Sequence, residues 1–464
     1  MKINFVLLLF LLQLTIINAI EEEDDDELFD LSSAHNPEEF KELFLAQKGD
    51  PEKILKIFRA LLLQGFTDDV VINMFKPVII SSLYDDYFPA QKEVLRVLDL
   101  LAESRIDQID KEIIEALIQK FLHSRNVEIL IKVLPLLAKI IKKDSKIREF
   151  AFSLHIDEHL FLLTGFKDPE VHVPVEIVRE VTKFIKALCF LGDKNLSEKH
   201  RINLSIVTES FLFNAKADPE ILKSVTWAYY YLTRPPNVKQ YFLIDKLVKN
   251  HIKHLGHNDE ELVLSTLHVI ESVVDKNKPD QIEMFLSNGF LSKVPNLLAS
   301  NSHEMIVGKT LEILGQLLSK PQNYLSAIVE AGIIPNVIEN MFHKNVDIKN
   351  AAAIVICFVV PSSSLDQIKA LIKNKAIHGL CHVLKYHEKE EPVVDGIIGG
   401  YLFILKSAKE FVKPVCEILD ECDGIHILHR LKKHQNIAIS KSADEIIQIF
   451  DYIMAEENSS RTEL

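Results

Sequence analysis

Three clusters of this chain carry side chains of the kind that hold metals. His155-Ile-Asp-Glu-His159 has the H-x-x-E-H spacing. On a helix this sets two imidazoles one turn apart, with a carboxylate beside them to serve as a base. No third ligand for that pair can be named from the sequence. His378, Cys381 and His382 share one helical face, but Cys381 falls at an apolar position, which favours packing over coordination. His251, His254 and His257 recur at three-residue steps and read as a solvated row. No P-loop, G-x-G-x-x-G or G-x-S-x-G motif occurs. No catalytic, metal or cofactor site is expected, and the chain reads as a binding protein rather than an enzyme.

The elements that would position a binding surface follow from size and pattern. The chain has 464 residues, 48% of them hydrophobic, with 14 Gly and a single Trp. One compact core rarely grows beyond about 250–300 residues, so this much apolar material implies several domains or an elongated stack. A net charge of −14 excludes a general nucleic-acid binder, which needs a basic face for phosphates. From about Glu38 onward, helix-period patterns alternate with short polar breaks and no strand pattern intervenes.

A repeat organises these helices. Aligning the longest helices places Leu100, Ile140, Leu188, Tyr231, Ser272, Gln316, Phe358 and Phe403 in equivalent positions, at steps of 40, 48, 43, 41, 44, 42 and 45 residues. A period of ~40–47 residues with two or three helices marks an armadillo/HEAT-type array. The expected fold is all-α: a right-handed superhelical solenoid of about eight repeats over residues 38–455, with capping helices at both ends. Each repeat would bury its apolar face only against its neighbours.

Both ends carry addresses. Residues 1–19 read as a signal peptide: Lys2, an apolar stretch from Phe5 to Ile17, and a cleavage point at Asn18-Ala19. That stretch is shorter than the ~20 residues of a membrane span, and no later segment is long and apolar enough. Residues 20–37 contain the acidic run Glu21 to Glu27 and are expected to be disordered. The tail, 456–464, ends in Arg461-Thr462-Glu463-Leu464, similar to an endoplasmic-reticulum retrieval tetrapeptide. The expected location is the lumen of the endoplasmic reticulum, with secretion as the alternative. Sequons at Asn195, Asn203 and Asn458 are candidate glycosylation sites. The five cysteines read as buried small hydrophobes, with a Cys416–Cys422 pair as the alternative.

Several segments resemble the importin-α family. Ile348-Lys-Asn-Ala-Ala-Ala-Ile-Val-Ile-Cys-Phe358, Leu365-Asp-Gln-Ile-Lys369 and Ile377-His-Gly-Leu-Cys-His-Val-Leu384 follow one of its late repeats. Val225-Thr-Trp-Ala-Tyr-Tyr-Tyr-Leu-Thr-Arg-Pro235 is similar to its middle repeats, and Gly424 to Leu431 and Ala443 to Phe450 to its terminal helices. The resemblance implies a concave groove in which a Trp/Asn ladder grips basic nuclear-localisation peptides. The Trp positions fall on Arg96, Leu136, Phe184, Trp227, His268, Glu312, Ile354 and Gly399; the Asn positions are the eight used above for the period. One Trp is kept and no Asn. Leu and Phe cannot hydrogen-bond a peptide backbone, so loss of nuclear-signal binding is expected.

The candidate partner-binding residues are Trp227, Tyr231, Arg96, Leu100, Phe184, His268, Glu312, Gln316 and Phe358. They would hold a protein or extended peptide. One alternative is a nucleotide-exchange co-chaperone clasping a luminal chaperone ATPase. The other is a cytosolic–nuclear import receptor, should the N-terminal segment not be a signal.

Overall fold

The computed structural model describes residues 50–462 except 64, 66, 123–125, 164–172, 191–195, 215–217, 234–244, 276–278, 321–323 and 387–389, and side chains only to 455. The expected signal peptide, the acidic segment, Asn195 and the side chains of Asn458 and of Arg461 to Leu464 lie outside the described residues.

Among the described residues every regular element is a helix. Ten long helices recur at the repeat spacing: α1 (Pro51–Leu63), α2 (Phe88–Ser104), α3 (Val127–Lys143), α4 (Val175–Phe190), α5 (Pro219–Thr233), α6 (Glu260–Asp275), α7 (Glu304–Leu318), α8 (Val346–Val359), α9 (Glu391–Ser407) and α10 (Ile437–Thr462). The chain forms two compact units, one ending at Pro235 and the other beginning at Pro236. In the first, α1 to α5 pack in strict succession; in the second, α6 to α10 do the same. Contact with the next repeat only is what a solenoid requires. In the second unit α7, α8, α9 and α10 are each preceded by two shorter helices. Three helices per repeat at this period is the armadillo-type arrangement.

The shorter helices run to only 6–11 residues in that unit, below what persists alone in water. Burial holds them. In α3, Val133, Leu134, Leu137, Ile140 and Ile141 are fully buried, and each such side chain contributes about 1.5–3 kcal/mol. Caps set the boundaries. Asn126 accepts from the Glu128 N–H to start α3, and Lys143 at its end donates to the Ala102 carbonyl near the end of α2, at 2.7 Å. Ser364 and Gln367 form a capping box on the helix Leu365–Lys373.

Two turn devices repeat. Between the two short helices of a three-helix repeat, one residue takes a left-handed conformation: His155, Gly289, Gly332, Lys375 and Asp423, with φ from 57° to 92°. Glycine fits this turn without strain, whereas His155, Lys375 and Asp423 adopt it with their side chains exposed. Ahead of α6, α7, α8 and α10, a histidine Nδ1 accepts a backbone N–H two residues on. The pairs are His257 with Asp259 (3.0 Å), His303 with Met305 (3.2 Å), His343 with Asn345 (3.0 Å) and His434 with Asn436 (3.1 Å). Only a neutral imidazole has a nitrogen free to accept, so these caps exist in that form alone.

The expected solvated row of histidines is corrected. His251 is fully buried and its Nδ1 donates to the Leu247 carbonyl at 2.8 Å. Burial pushes its pKa down to about 4. Burial, then the neighbouring His251, His257 and Lys253, pushes His254 down to about 3. His251 lies on the buried side of the helix Asp245–His254, His254 is half-buried at its end, and His257 lies half-buried beyond it. An unfolded chain protonates such rings near pH 6.5, so it binds more protons than the fold does. Stability of the second unit is expected to be complete above about pH 6.5 and to drain as pH falls toward 4, by on the order of 3 kcal/mol from His251. His251→Leu should move the acid midpoint seen by circular dichroism to lower pH; an unmoved midpoint would clear this ring of responsibility.

Cysteine pairing also differs from expectation. Cys422 is bonded to Cys381, with Cα atoms 6.3 Å apart, while Cys416 is buried and free. The bond joins the helix Ala376–Tyr386 to the end of Val412–Glu421 in the next repeat. Gly424 admits it: a Cβ there would lie 2.8 Å from the Cys381 Sγ and 3.0 Å from the Leu419 carbonyl oxygen.

Candidate functional site

The conjunction of α4 and α5 carries the most developed surface in the first unit. Asp218 caps α5, its Oδ1 accepting from the Glu220 and Ile221 N–H groups at 3.0 and 3.3 Å. Its Oδ2 takes two N–H donors from Arg179 of α4, at 3.0 and 2.8 Å. Burial alone would raise the Asp218 pKa, but Arg179 and the cap hold it below the usual carboxylate range. This forked pair fixes the register of α5 against α4.

With that register, Val225, Ala228, Tyr229 and Leu232 enter the core, and Trp227, Tyr230 and Tyr231 stand half-buried on the outer side. Trp227 stacks on Tyr231 with centroids 5.9 Å apart and meets Tyr230 edge-on at 5.8 Å. Phe190, 50% exposed at the end of α4, makes a T-shaped contact with Tyr231 at 5.4 Å. Lys186 sets its Nζ 5.6 Å from the Trp227 ring centroid, within cation–π reach. The result is a half-buried aromatic cluster with an ammonium against it.

The placement of Phe184 on this face is corrected. Phe184 and Leu188 are 0% exposed, as is Ile140, and Leu136 is 1% exposed. α3 and α4 are apolar over much of their circumference, and the aligned stripe was the core one. The outward residues are Lys139, which bridges Asp99 and Glu103 of α2, and Lys183, Lys186 and Phe190. The missed signal was the polar one: Lys183 and Lys186, three apart, mark the face that meets water. Of the other first-unit candidates, Arg96 is exposed and bonds Glu93 at 2.8 Å, and Leu100 is half-buried. The Arg59 guanidinium reaches the same Glu93 carboxylate.

In the second unit the predicted positions fall on α6, α7, α8 and α9. His268 bonds Glu271 at 3.1 Å, Glu271 pairs with Lys309 at 3.0 Å, and Lys309 also reaches Glu312. Burial would raise the Glu271 pKa, yet His268 and Lys309 bring it below its ordinary value. Gln316, Ile354 and Phe403 are half-buried, Gly399 is exposed and Phe358 is 41% exposed. Ser272 is buried.

The metal motifs do not assemble. Among the described residues no group of three His, Cys, Asp or Glu side chains could hold an ion. His155 is the left-handed hinge of its turn, Asp157 is buried, and the Cys381 sulfur is in the disulfide. Asn203 lies within the helix Glu198–Asn214, where its Nδ2, the atom a glycan would occupy, donates to the buried Asp157 at 2.8 Å. Among the described residues no helix is long and apolar enough to cross a membrane.

No family model matches the chain. Among solved structures, an engineered protein from a structural-genomics programme aligns over 94% of this chain and 99% of its own, at 16% identity and a TM-score of 0.63. A designed armadillo repeat protein in complex with the peptide (KR)4 aligns over 53% of this chain and 98% of its own, at 17% identity and a TM-score of 0.42. A computationally designed armadillo repeat protein for modular peptide recognition aligns over 56% and 98%, at 15% identity and a TM-score of 0.39. The first of these likenesses concerns the fold alone.

Proposed function

We propose that the chain is a non-catalytic polypeptide-binding scaffold of the endoplasmic-reticulum lumen, gripping an extended segment of a partner protein on the side of α4 and α5 that carries Trp227. The observation behind this reading is the aromatic cluster. Rigid Trp and Tyr side chains, half-exposed and in mutual contact, supply large contact area at small entropic cost and dominate protein recognition sites. Phe190, half in solvent beside them, adds apolar surface to the cluster.

The compartment is argued from chemistry. The Cys381–Cys422 bond is of the kind that persists in oxidising compartments and is rare in the cytosol. It agrees with the signal-like residues 1–19 and the retrieval-like Arg461-Thr462-Glu463-Leu464, and it weighs against a cytosolic–nuclear import receptor. The scaffold likeness to importin-α adaptors is therefore read without their cargo.

The test is direct. Extended peptides bearing aromatic residues should bind the whole chain, and Trp227→Ala should weaken labelled-peptide binding by about 10–100-fold. Equal affinity of the Trp227→Ala protein would remove the cluster as the site. Localisation of the untagged protein, with and without its last four residues, tests the compartment.

A further inference from the structure

Resting on the luminal reading above, we propose that Asn203 is a latent glycosylation site, open to the transferase only while its repeat is unpacked and closed once the repeat forms. In the sequon Asn203-Leu204-Ser205 two side-chain groups carry the chemistry: the amide nitrogen that takes the sugar and the hydroxyl two residues on. The fold engages both. Asn203 Nδ2 donates to Asp157 Oδ2 at 2.8 Å, and Ser205 Oγ donates to the Ile202 carbonyl at 2.7 Å. Leu204 is 0% exposed, Asp157 1% and Ser205 3%. All three sequon residues lie within the helix Glu198–Asn214, not in the surface loop where a glycan is accommodated.

The contact with Asp157 joins one repeat to the next. Asp157 belongs to the helix Ile156–Leu163, against which the helix Glu198–Asn214 packs. The same Oδ2 lies 3.0 Å from His200 Nδ1, and the His200 ring stacks on Phe152 with centroids 4.5 Å apart. Glycosyl transfer from a lipid-linked oligosaccharide pyrophosphate forms a bond between Nδ2 and the sugar C1. It breaks the bond from C1 to the pyrophosphate oxygen and releases one Nδ2 hydrogen as a proton. The product carries a bulky, hydrated chain on an atom that touches a carboxylate shut away from water. Packing and modification therefore exclude each other. A docked helix withholds Nδ2, and a glycosylated one cannot close on Asp157. Asp157 and Phe152 precede the sequon in the chain, so both are already made when it emerges during synthesis. A glycan on Asn203 thus marks a chain whose first unit failed to pack.

The test reads occupancy site by site. The full chain is expressed in the secretory pathway of cultured cells, and enzymatic release of glycans converts each modified Asn to Asp, which peptide mass spectrometry detects. Every chain carries Glu260→Thr, which completes a sequon at Asn258, exposed in the turn ahead of α6, and so records contact with the transferase. With the first unit otherwise native, a glycan is expected on Asn258 and none on Asn203. Val207→Asp sets a charge on a residue 1% exposed, one turn beyond Asn203 on the same helix, and leaves the sequon intact. Asn203 is then expected to be occupied in most molecules. A glycan on Asn203 of protease-resistant chains with Val207, or a bare Asn203 beside an occupied Asn258 in Val207→Asp, overturns the proposal and leaves the compartment standing. Asn258 bare in every chain overturns the compartment and the proposal with it.

Discussion

Replacing Cys422 by serine is expected to lower the unfolding temperature of the second unit by about 8–15 °C. The two sulfurs are 41 residues apart in sequence, so the bond closes a loop of one repeat. The chain-entropy model puts such a closure at about 4 kcal/mol, released when the cross-link is removed from the unfolded ensemble. For a unit of this size each kcal/mol moves the transition by about 2–4 °C. Cys381→Ser should reproduce the shift and reduced wild-type protein should match both, because all three lose the same covalent link. Cys416→Ala should not, since Cys416 is a free buried thiol. Trp227 lies outside this unit, so its fluorescence is expected to follow a different transition from the one seen by circular dichroism. Oxidised and reduced proteins melting together would show that the link contributes nothing.

Truncating Phe184 to alanine is expected to cost about 3–5 kcal/mol, the range for deleting a buried aromatic ring. Phe184 is fully enclosed at the packing of α4 against α3 and α5. The cavity it leaves is walled by helices that the Arg179–Asp218 fork and the neighbouring repeat prevent from closing in. Lys186→Gln, two residues along the same helix, should change stability by no more than about 0.5 kcal/mol. Denaturant unfolding followed by Trp227 emission measures both. Similar small effects at 184 and 186 would mean that α4 turns a different side to the core.

The contrast between those two residues shows what the sequence could convey. Helical content and the repeat were plain, because periodic apolar residues in every long helix advance by a nearly constant number from one repeat to the next. In α7 to α9, Glu312, Phe358 and Gly399 are exposed while Gln316 and Ile354 are half-buried. In these helices small or polar residues interrupt the apolar pattern on a single side. α3 and α4 lack that contrast, and apolar spacing alone fits two rotations of the helix about its axis. The basic residues Lys139, Lys183 and Lys186 resolve the choice once they are weighted above the apolar ones.

Cysteine pairing failed for another reason. Cys416 and Cys422 are neighbours along one helix end, whereas Cys381 and Cys422 are one period apart. In a stacked array a separation of one period means adjacency in space. The buried His251 and half-buried His254 were missed because histidine was read by its charge, and in this helix His251 packs as a neutral ring.

The sulfur bridge also decides which end of the second stack gives way first. A linear array ordinarily frays from its termini, since an outermost unit has only one neighbour to lean on. Here the helix Val412–Glu421 of the last repeat is stitched to the repeat before it, so that helix cannot peel off independently. Unravelling should therefore start at the opposite margin, around Asp245 to Asp275, where the interior histidines already make the packing vulnerable to acid. Amide-exchange profiles would register this as early deuterium uptake there and late uptake near Cys422, an order that reduction of the bridge should reverse.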